Sequence, residues 1–344
     1  PSFQLIIPYL KKLKELNPNS VVKWTRDEEN HIQQLFLCPG IMNVSLRFVR
    51  PVMSLDACHL RSKWKGTLYI ASVKTPLDEI YPVAFSITSH NEDFDGWMFF
   101  LENLRVACPR LRMPHPIQQC TYLYFTFISD RDKGLRQALV LQFPNNHCTS
   151  CAVHIQANVG HKFGSRAAAN VSELAKTFST RREDEILQAI GRTSNQARAY
   201  IVDIEPKEWR STEWIRNHAL PPRYGITSSN MSESTNSMFN EARDLAWYDC
   251  MDWMLDKMST RISTLRIDKK KHSGVVPLWK NVLQKRFDVC AGFTVLQLEE
   301  NEDKYKVVRT LYRPGERARV HYLCISAATC TCGKRARFPN ALCG

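Results

Sequence analysis

The feature of this sequence that most restricts its fold is a block of three β-rich runs, Leu46 to Leu55, Thr67 to Val73 and Ile80 to Ile87, separated by short connections. Gly66 marks the first turn, and Pro76, Asp78 and Glu79 mark the second. Strands that follow one another this closely pair antiparallel, because a parallel pair needs a crossover of a dozen or more residues. The block predicts a meander, with Asp56 ending its first strand.

Other elements attach to this frame. Residues 1–45 read as a helical lead-in, because Phe3, Leu5, Ile6, Tyr9, Leu10 and Leu13 recur at helical spacing before the turn Asn17-Pro18-Asn19-Ser20. Trp97 to Ala107 reads as a helix closed by Pro109. Tyr122 to Ile128 is apolar throughout, as a strand covered on both faces should be, and it ends at Ser129-Asp130 just before helical spacing resumes at Leu135, Ala138 and Leu139. This gives a core over 46–157 that carries both aspartates.

Residues 158–226 lose the strand signal and read as a helical insertion, in which Arg181, Arg182, Glu183, Asp184 and Glu185 form a solvated face. Thr227 to Asn230 supplies N-cap candidates for a helix bearing Glu233, and the stripe Trp247, Met251, Met254, Leu255 and Met258 reads as core, so 227–262 is a pair of helices. Residues 263–322 read as a basic helical linker, and 323–344 hold a cysteine cluster.

At 344 residues, with 44% hydrophobic and 24% charged residues, the composition is that of a globular protein, and no apolar run approaches the roughly 18 residues of a membrane span. A start at Pro1 and an end at Cys343-Gly344 suggest a fragment of a longer product. Lys and Arg outnumber Asp and Glu by 47 to 34, a net +13 that suits a polyanionic partner and equally a merely basic protein. Twelve cysteines without the dense spacing of a disulfide scaffold favour a reducing, intracellular compartment.

Asp56, Asp130 and Glu233 stand out by position, two at strand ends and one on a late helix. Phosphodiester hydrolysis and transfer use two divalent cations about 3.5 to 4 Å apart, and hard cations prefer carboxylate oxygen. Position alone selects this triplet weakly, since the chain has 34 acidic residues.

The surrounding sequence resembles the Mutator-like element transposases. Ser54-Leu55-Asp56-Ala57-Cys58-His59-Leu60 with Lys63-Trp64-Lys65-Gly66-Thr67-Leu68 is similar to the family's first-aspartate block. Ile80 to Phe85 and Trp97 to Leu101 resemble the next two blocks, and Ser129-Asp130-Arg131-Asp132-Lys133-Gly134-Leu135 the second-aspartate block, continued by Phe143-Pro144, His147, Cys151, His154 and Asn158. Thr227 to Asn236 is similar to the glutamate block, where Asn230, Glu233 and Asn236 share a helical face.

The resemblance implies an α/β, ribonuclease-H-like mixed sheet with an all-helical insertion before the glutamate helix. It also implies hydrolysis at transposon ends followed by 3'-hydroxyl transfer into target DNA, with two Mg2+ or Mn2+ ions. Asp56 would bridge both ions, Asp130 hold one and Glu233 the other. The family usually has glycine where this chain has Ala57, a change that matters only if a positive φ is needed there.

Cys330, Cys332 and Cys343 resemble a truncated SWIM-type zinc finger whose histidine would follow Gly344, so the Zn2+ site here is expected to be incomplete; unligated thiols are the alternative. Cys151 and His154 match a family Cys/His pair, read either as metal ligands or as packing plus a surface histidine. Lys269, Lys270, Lys271, Lys280, Lys285 and Arg286, interleaved with Trp279, are candidate DNA contacts, and Arg313, Arg317 and Arg319 recur further on. A nuclear protein acting as a homo-oligomer on terminal repeats and target DNA is the implied setting. A relic or domesticated copy regulating transcription without catalysis is the alternative, and a structural or nuclease protein outside transposition is a third.

Overall fold

The computed structural model describes residues 2–46, 49–75, 78–113, 125–213, 223–271, 281, 284, 285, 288, 292–298, 303–309, 320–325 and 329–331. Two compact units divide the chain. One comprises 1–118, 123–151 and 228–271; the other comprises 119–122, 152–227 and 272–344.

The first unit is built on a seven-stranded sheet. Its strands are β1 (Val21–Arg26), β2 (Ile32–Cys38), β3 (Val52–His59), β4 (Thr67–Lys74), β5 (Ile80–Thr88), β6 (Thr126–Ser129) and β7 (Cys148–Ser150), in the lateral order β1-β2-β5-β4-β3-β6-β7. The expected meander is β3-β4-β5, antiparallel throughout. β6 joins β3 in parallel and β7 joins β6 in parallel. This mixed order is consistent with a ribonuclease-H-like fold.

Two sequence expectations change here. The lead-in is helical only in α1 (Ser2–Leu16), and 21–38 form the antiparallel hairpin β1-β2. Val21, Val22, Trp24 and Thr25 are β-branched or aromatic, and Asn30 takes φ 70° in the turn, so the strand signal was present but lay behind a stronger helical period. The first meander strand starts at Val52 rather than Leu46, directly after Pro51, whose nitrogen cannot donate to a ladder. Asp56 is therefore within β3, paired with Ile70, and does not end the strand.

Helices cover both faces of the sheet. On β4, Tyr69 and Ser72 point to opposite sides, as residues an odd number apart must. The Tyr69 ring meets Trp97 of α3 (Phe94–Ala107) edge-on at 4.7 Å, and the Ser72 hydroxyl meets Thr235 of α10 (Asn230–Met238) at 2.9 Å. Phe36, Tyr69, Phe85, Trp97, Phe100, Phe127 and Phe143 form the aromatic core. The remaining helices of this unit are α2 (Gly40–Ser45), α4 (Lys133–Gln142) and α11 (Trp247–Lys271), the last burying Trp247, Met251, Met254 and Met258.

The second unit contains α5 (Ala152–Phe163), α6 (Ser165–Ala168), α7 (Val171–Leu174), α8 (Thr180–Thr193) and α9 (Asn195–Asp203), packed on Ile155, Val159, Leu174, Ile186, Ile190, Ile201 and Trp209. Glu183 is the exception to the solvated face expected for 181–185: it is buried against Arg210, with Oε1 to Nη1 at 3.2 Å. The basic linker is not helical throughout. β8 (Phe293–Gln297), β9 (Lys304–Arg309), β10 (Val320–Cys324) and β11 (Thr329–Cys330) form an antiparallel sheet, as the alternation of Val and aromatic residues in 293–309 favours.

Candidate active site at the carboxyl ends of the parallel strands

The ladder between β3 and β6 pairs Val52 with Thr126, Met53 with Phe127 and Ser54 with Ile128. Continued two residues, that register sets Asp56 level with Asp130. Neighbouring strands lie about 4.8 Å apart, which matches carboxylates that share closely spaced cations. Asp130 follows the last residue of β6, and its Oδ1 accepts from the Asp132 backbone N–H at 3.1 Å. Asp132 itself caps α4, accepting from the Leu135 N–H at 2.9 Å, so the two neighbouring acids have separate tasks.

α10 approaches β3 and β4 over a seam of small hydroxyl side chains. Ser54 and Ser232 share a hydrogen bond of 2.6 Å, and Thr235, besides meeting Ser72, donates to the Met231 carbonyl at 2.8 Å. The seam sets the rotation of the helix, with Ser232 and Thr235 buried and Glu233 exposed in the first turn. Asn236, one turn beyond Glu233, reaches the sheet. Its Nδ2 donates to Asp56 Oδ2 at 2.6 Å, and its Oδ1 accepts from the Cys58 thiol at 3.5 Å, which orients the amide. Burial pushes the Cys58 thiol up to about 11, with Asp56 and Glu92 adding and Arg243 and Arg61 opposing. Ala57 has no positive φ and sits in regular strand opposite Tyr69, so alanine is accommodated there without strain.

The register of β3 and β6 thus sets Asp56 and Asp130 side by side, and Glu233 stands on the helix that packs over β3 and β4. Among the described residues, no three His, Cys, Asp or Glu side chains gather closely enough to hold a metal ion. The pair nonetheless suits a hard cation in its donor chemistry. Both side chains are carboxylates, each oriented by a hydrogen bond, from Asn236 and from the Asp132 amide.

Sequence reasoning missed Glu92 and the role of Asn236. Glu92 lies in the turn between β5 and α3, and its carboxylate accepts from the Trp97 indole N–H at 3.1 Å. Desolvation holds the Glu92 carboxyl above its ordinary range, and the charges of Asp130 and Asp132 push the same way, while the indole bond opposes them. No motif signals Glu92, since only the fold brings that turn beside Asp130.

A raised folded-state value means that Glu92 favours folding at acid pH, and that this contribution is lost as pH rises through the folded value. Glu92→Gln is accordingly expected to melt higher than wild type at pH 7 in chelator, with the gain vanishing below the usual carboxylate range. A lower melting temperature at pH 7 would contradict this.

Cys151 is buried and its sulfur accepts from the Ser229 N–H at 3.2 Å, tying the start of α10 to the end of β7; His154 lies in the first turn of α5. Cys330 is buried in β11, whereas Cys332 and Cys343 fall outside the described residues. Lys269, Lys270 and Lys271 end α11, but their side chains lie outside the described set, as do Lys280, Arg286, Trp279, Arg313, Arg317 and Arg319; Lys285 is described and exposed.

A mixed sheet in which the parallel register of β3 and β6 sets Asp56 level with Asp130 is consistent with a ribonuclease-H-like core. Residues 52–158 are similar to the family model described as MULE transposase domain. A search of curated proteins found no match.

Proposed function

We propose that this chain is the catalytic part of a DDE-type DNA transposase, hydrolysing phosphodiesters at transposon ends and joining the freed 3'-hydroxyl to target DNA. The observation that most supports this reading is the β3-β6 register, which makes neighbours of Asp56 and Asp130. Asp56, Asp130 and Glu233 would hold two Mg2+ or Mn2+ ions. Such ions, when bound, activate the attacking oxygen and stabilise the leaving one.

The chain's own residues prepare the site. Asn236 fixes the rotamer of Asp56, the Asp132 amide fixes Asp130, and the Ser54-Ser232 and Ser72-Thr235 bonds hold α10 at the depth where Glu233 can turn inward from the surface. In this reading 158–226 is the family's helical insertion, the cysteines near the end belong to a zinc finger, and the protein works in the nucleus as an oligomer on DNA.

The test is a calorimetric Mn2+ titration with a short duplex present. Wild type is expected to take up about two ions. Asp56→Asn and Glu233→Gln should each weaken that uptake, and Asn236→Ala should weaken it less, by roughly 10- to 100-fold in affinity, as removing an orienting partner does. Wild-type binding no tighter than that of Asp56→Asn would overturn the catalytic reading for this chain.

A further inference from the structure

The loop between β3 and β4 is built as a rigid basic knuckle. Arg243 donates to the His59 carbonyl at 3.0 and 2.8 Å and accepts at its own carbonyl from the Arg61 and Ser62 N–H groups at 2.8 and 3.2 Å. The Trp247 indole donates to the Lys65 carbonyl at 3.1 Å, and Leu60 N–H bonds Gly66 O at 2.8 Å. Gly66 takes φ 120°, where an added Cβ would stand 2.5 Å from the Thr88 carbonyl oxygen, so the turn admits only glycine without rearrangement.

On this anchored loop Arg61 is neutralised by Asp244, with N to O distances of 2.8 and 2.7 Å. Lys63 and Lys65 are exposed, and among the described residues neither has an acidic partner. Between them Trp64 is 47% exposed, held edge-on by Phe3 at 4.9 Å, with the Lys63 ammonium 4.8 Å from its ring centre.

Ordering a loop this firmly while leaving two cations and an indole in solvent is poorly explained by stability, since exposed charges contribute little to it. The position supplies a reason. β3 runs into this loop, and β3 and β6 are parallel, so the loop emerges from the sheet end that carries Asp130 and the Glu92 turn. That acidic end repels a polyanion unless cations flank it.

We infer that Lys63 and Lys65 contact the phosphate backbone of duplex DNA, with Trp64 packing against it, and set the duplex over Asp56 and Asp130. This rests on the transposase reading above. At about 3.3 Å per strand residue the loop begins roughly 10 Å beyond Asp56. With one phosphate of each strand per about 3.4 Å of helix axis, its contacts fall about three to six nucleotides from the reacting phosphodiester.

The experiment measures binding of the whole chain to a 20-base-pair duplex over a salt series. In wild type, log Kobs should fall linearly with log salt. The pair Lys63→Ala with Lys65→Ala should reduce the slope by about 1.8, two phosphate contacts at about 0.9 each. The pair Lys63→Arg with Lys65→Arg should restore it. Lys11→Ala with Lys23→Ala removes the same charge from exposed sites elsewhere in the same unit and should leave the slope unchanged. Equal slopes for the loop and control pairs overturn the inference and leave the transposase reading standing. Absence of DNA binding by wild type at every salt concentration overturns both.

Discussion

Replacing Glu183 with alanine is expected to destabilise the helical unit by about 3–5 kcal/mol, because it leaves the Arg210 guanidinium buried without its carboxylate. The side chains of Glu183 and Arg210 are 3% and 6% exposed, and Arg210 otherwise donates to the Ile201 carbonyl at 2.8 Å. One neutral acceptor does not balance a full charge in that setting. Glu183→Leu with Arg210→Met removes both charges and fills similar volume, so it should recover most of the loss. Hydrogen exchange at the α8 amides reads the effect in that unit alone. A loss under about 1 kcal/mol for the single variant, or a double variant worse than either single, would show that the pair is not the buried unit described here.

Trp97→Ala should cost a similar 3–5 kcal/mol in the sheet unit. Trp97 is fully buried between Tyr69 and Phe100, with ring centres 4.7 and 6.0 Å away. Trp97→Phe separates packing from polarity: it keeps an aromatic ring and removes the N–H that Glu92 accepts, at a cost of about 0.5–1.5 kcal/mol. Because that bond lowers the Glu92 value, its loss raises it further, and Trp97→Phe should lose more stability at pH 7 than at acid pH, where Glu92 is protonated in both states. Urea midpoints at the two pH values test this, and an equal loss at both would remove the indole from the electrostatics of the site.

Several of these features were legible in the chain. The meander, the covered strand before Asp130 and the helix after it follow from runs of residues with one period, and local period survives folding wherever neighbours in sequence remain neighbours in space. Glu183 could have been recognised as well. It shares a helical face with Ile186, Leu187 and Ile190, three, four and seven residues on, and this spacing carries more information than the charge run in which it sits. The β1-β2 hairpin and the strands after Phe293 were obscured for a related reason, because short alternating segments beside long helical or basic ones carry little weight by themselves.

The sequence by itself determined the elements in which the three candidate carboxylates stand: Asp56 in a meander strand, Asp130 after a buried strand, Glu233 on a helix. Only the tertiary structure decided how those elements are placed. The parallel register of β3 and β6 sets Asp56 beside Asp130, the hydroxyl seam under α10 turns Asn236 rather than Glu233 onto Asp56, and the β5-α3 turn carries Glu92 to the same edge. Strand register and helix rotation are settled by contacts between segments up to 180 residues apart, and no local period encodes such contacts.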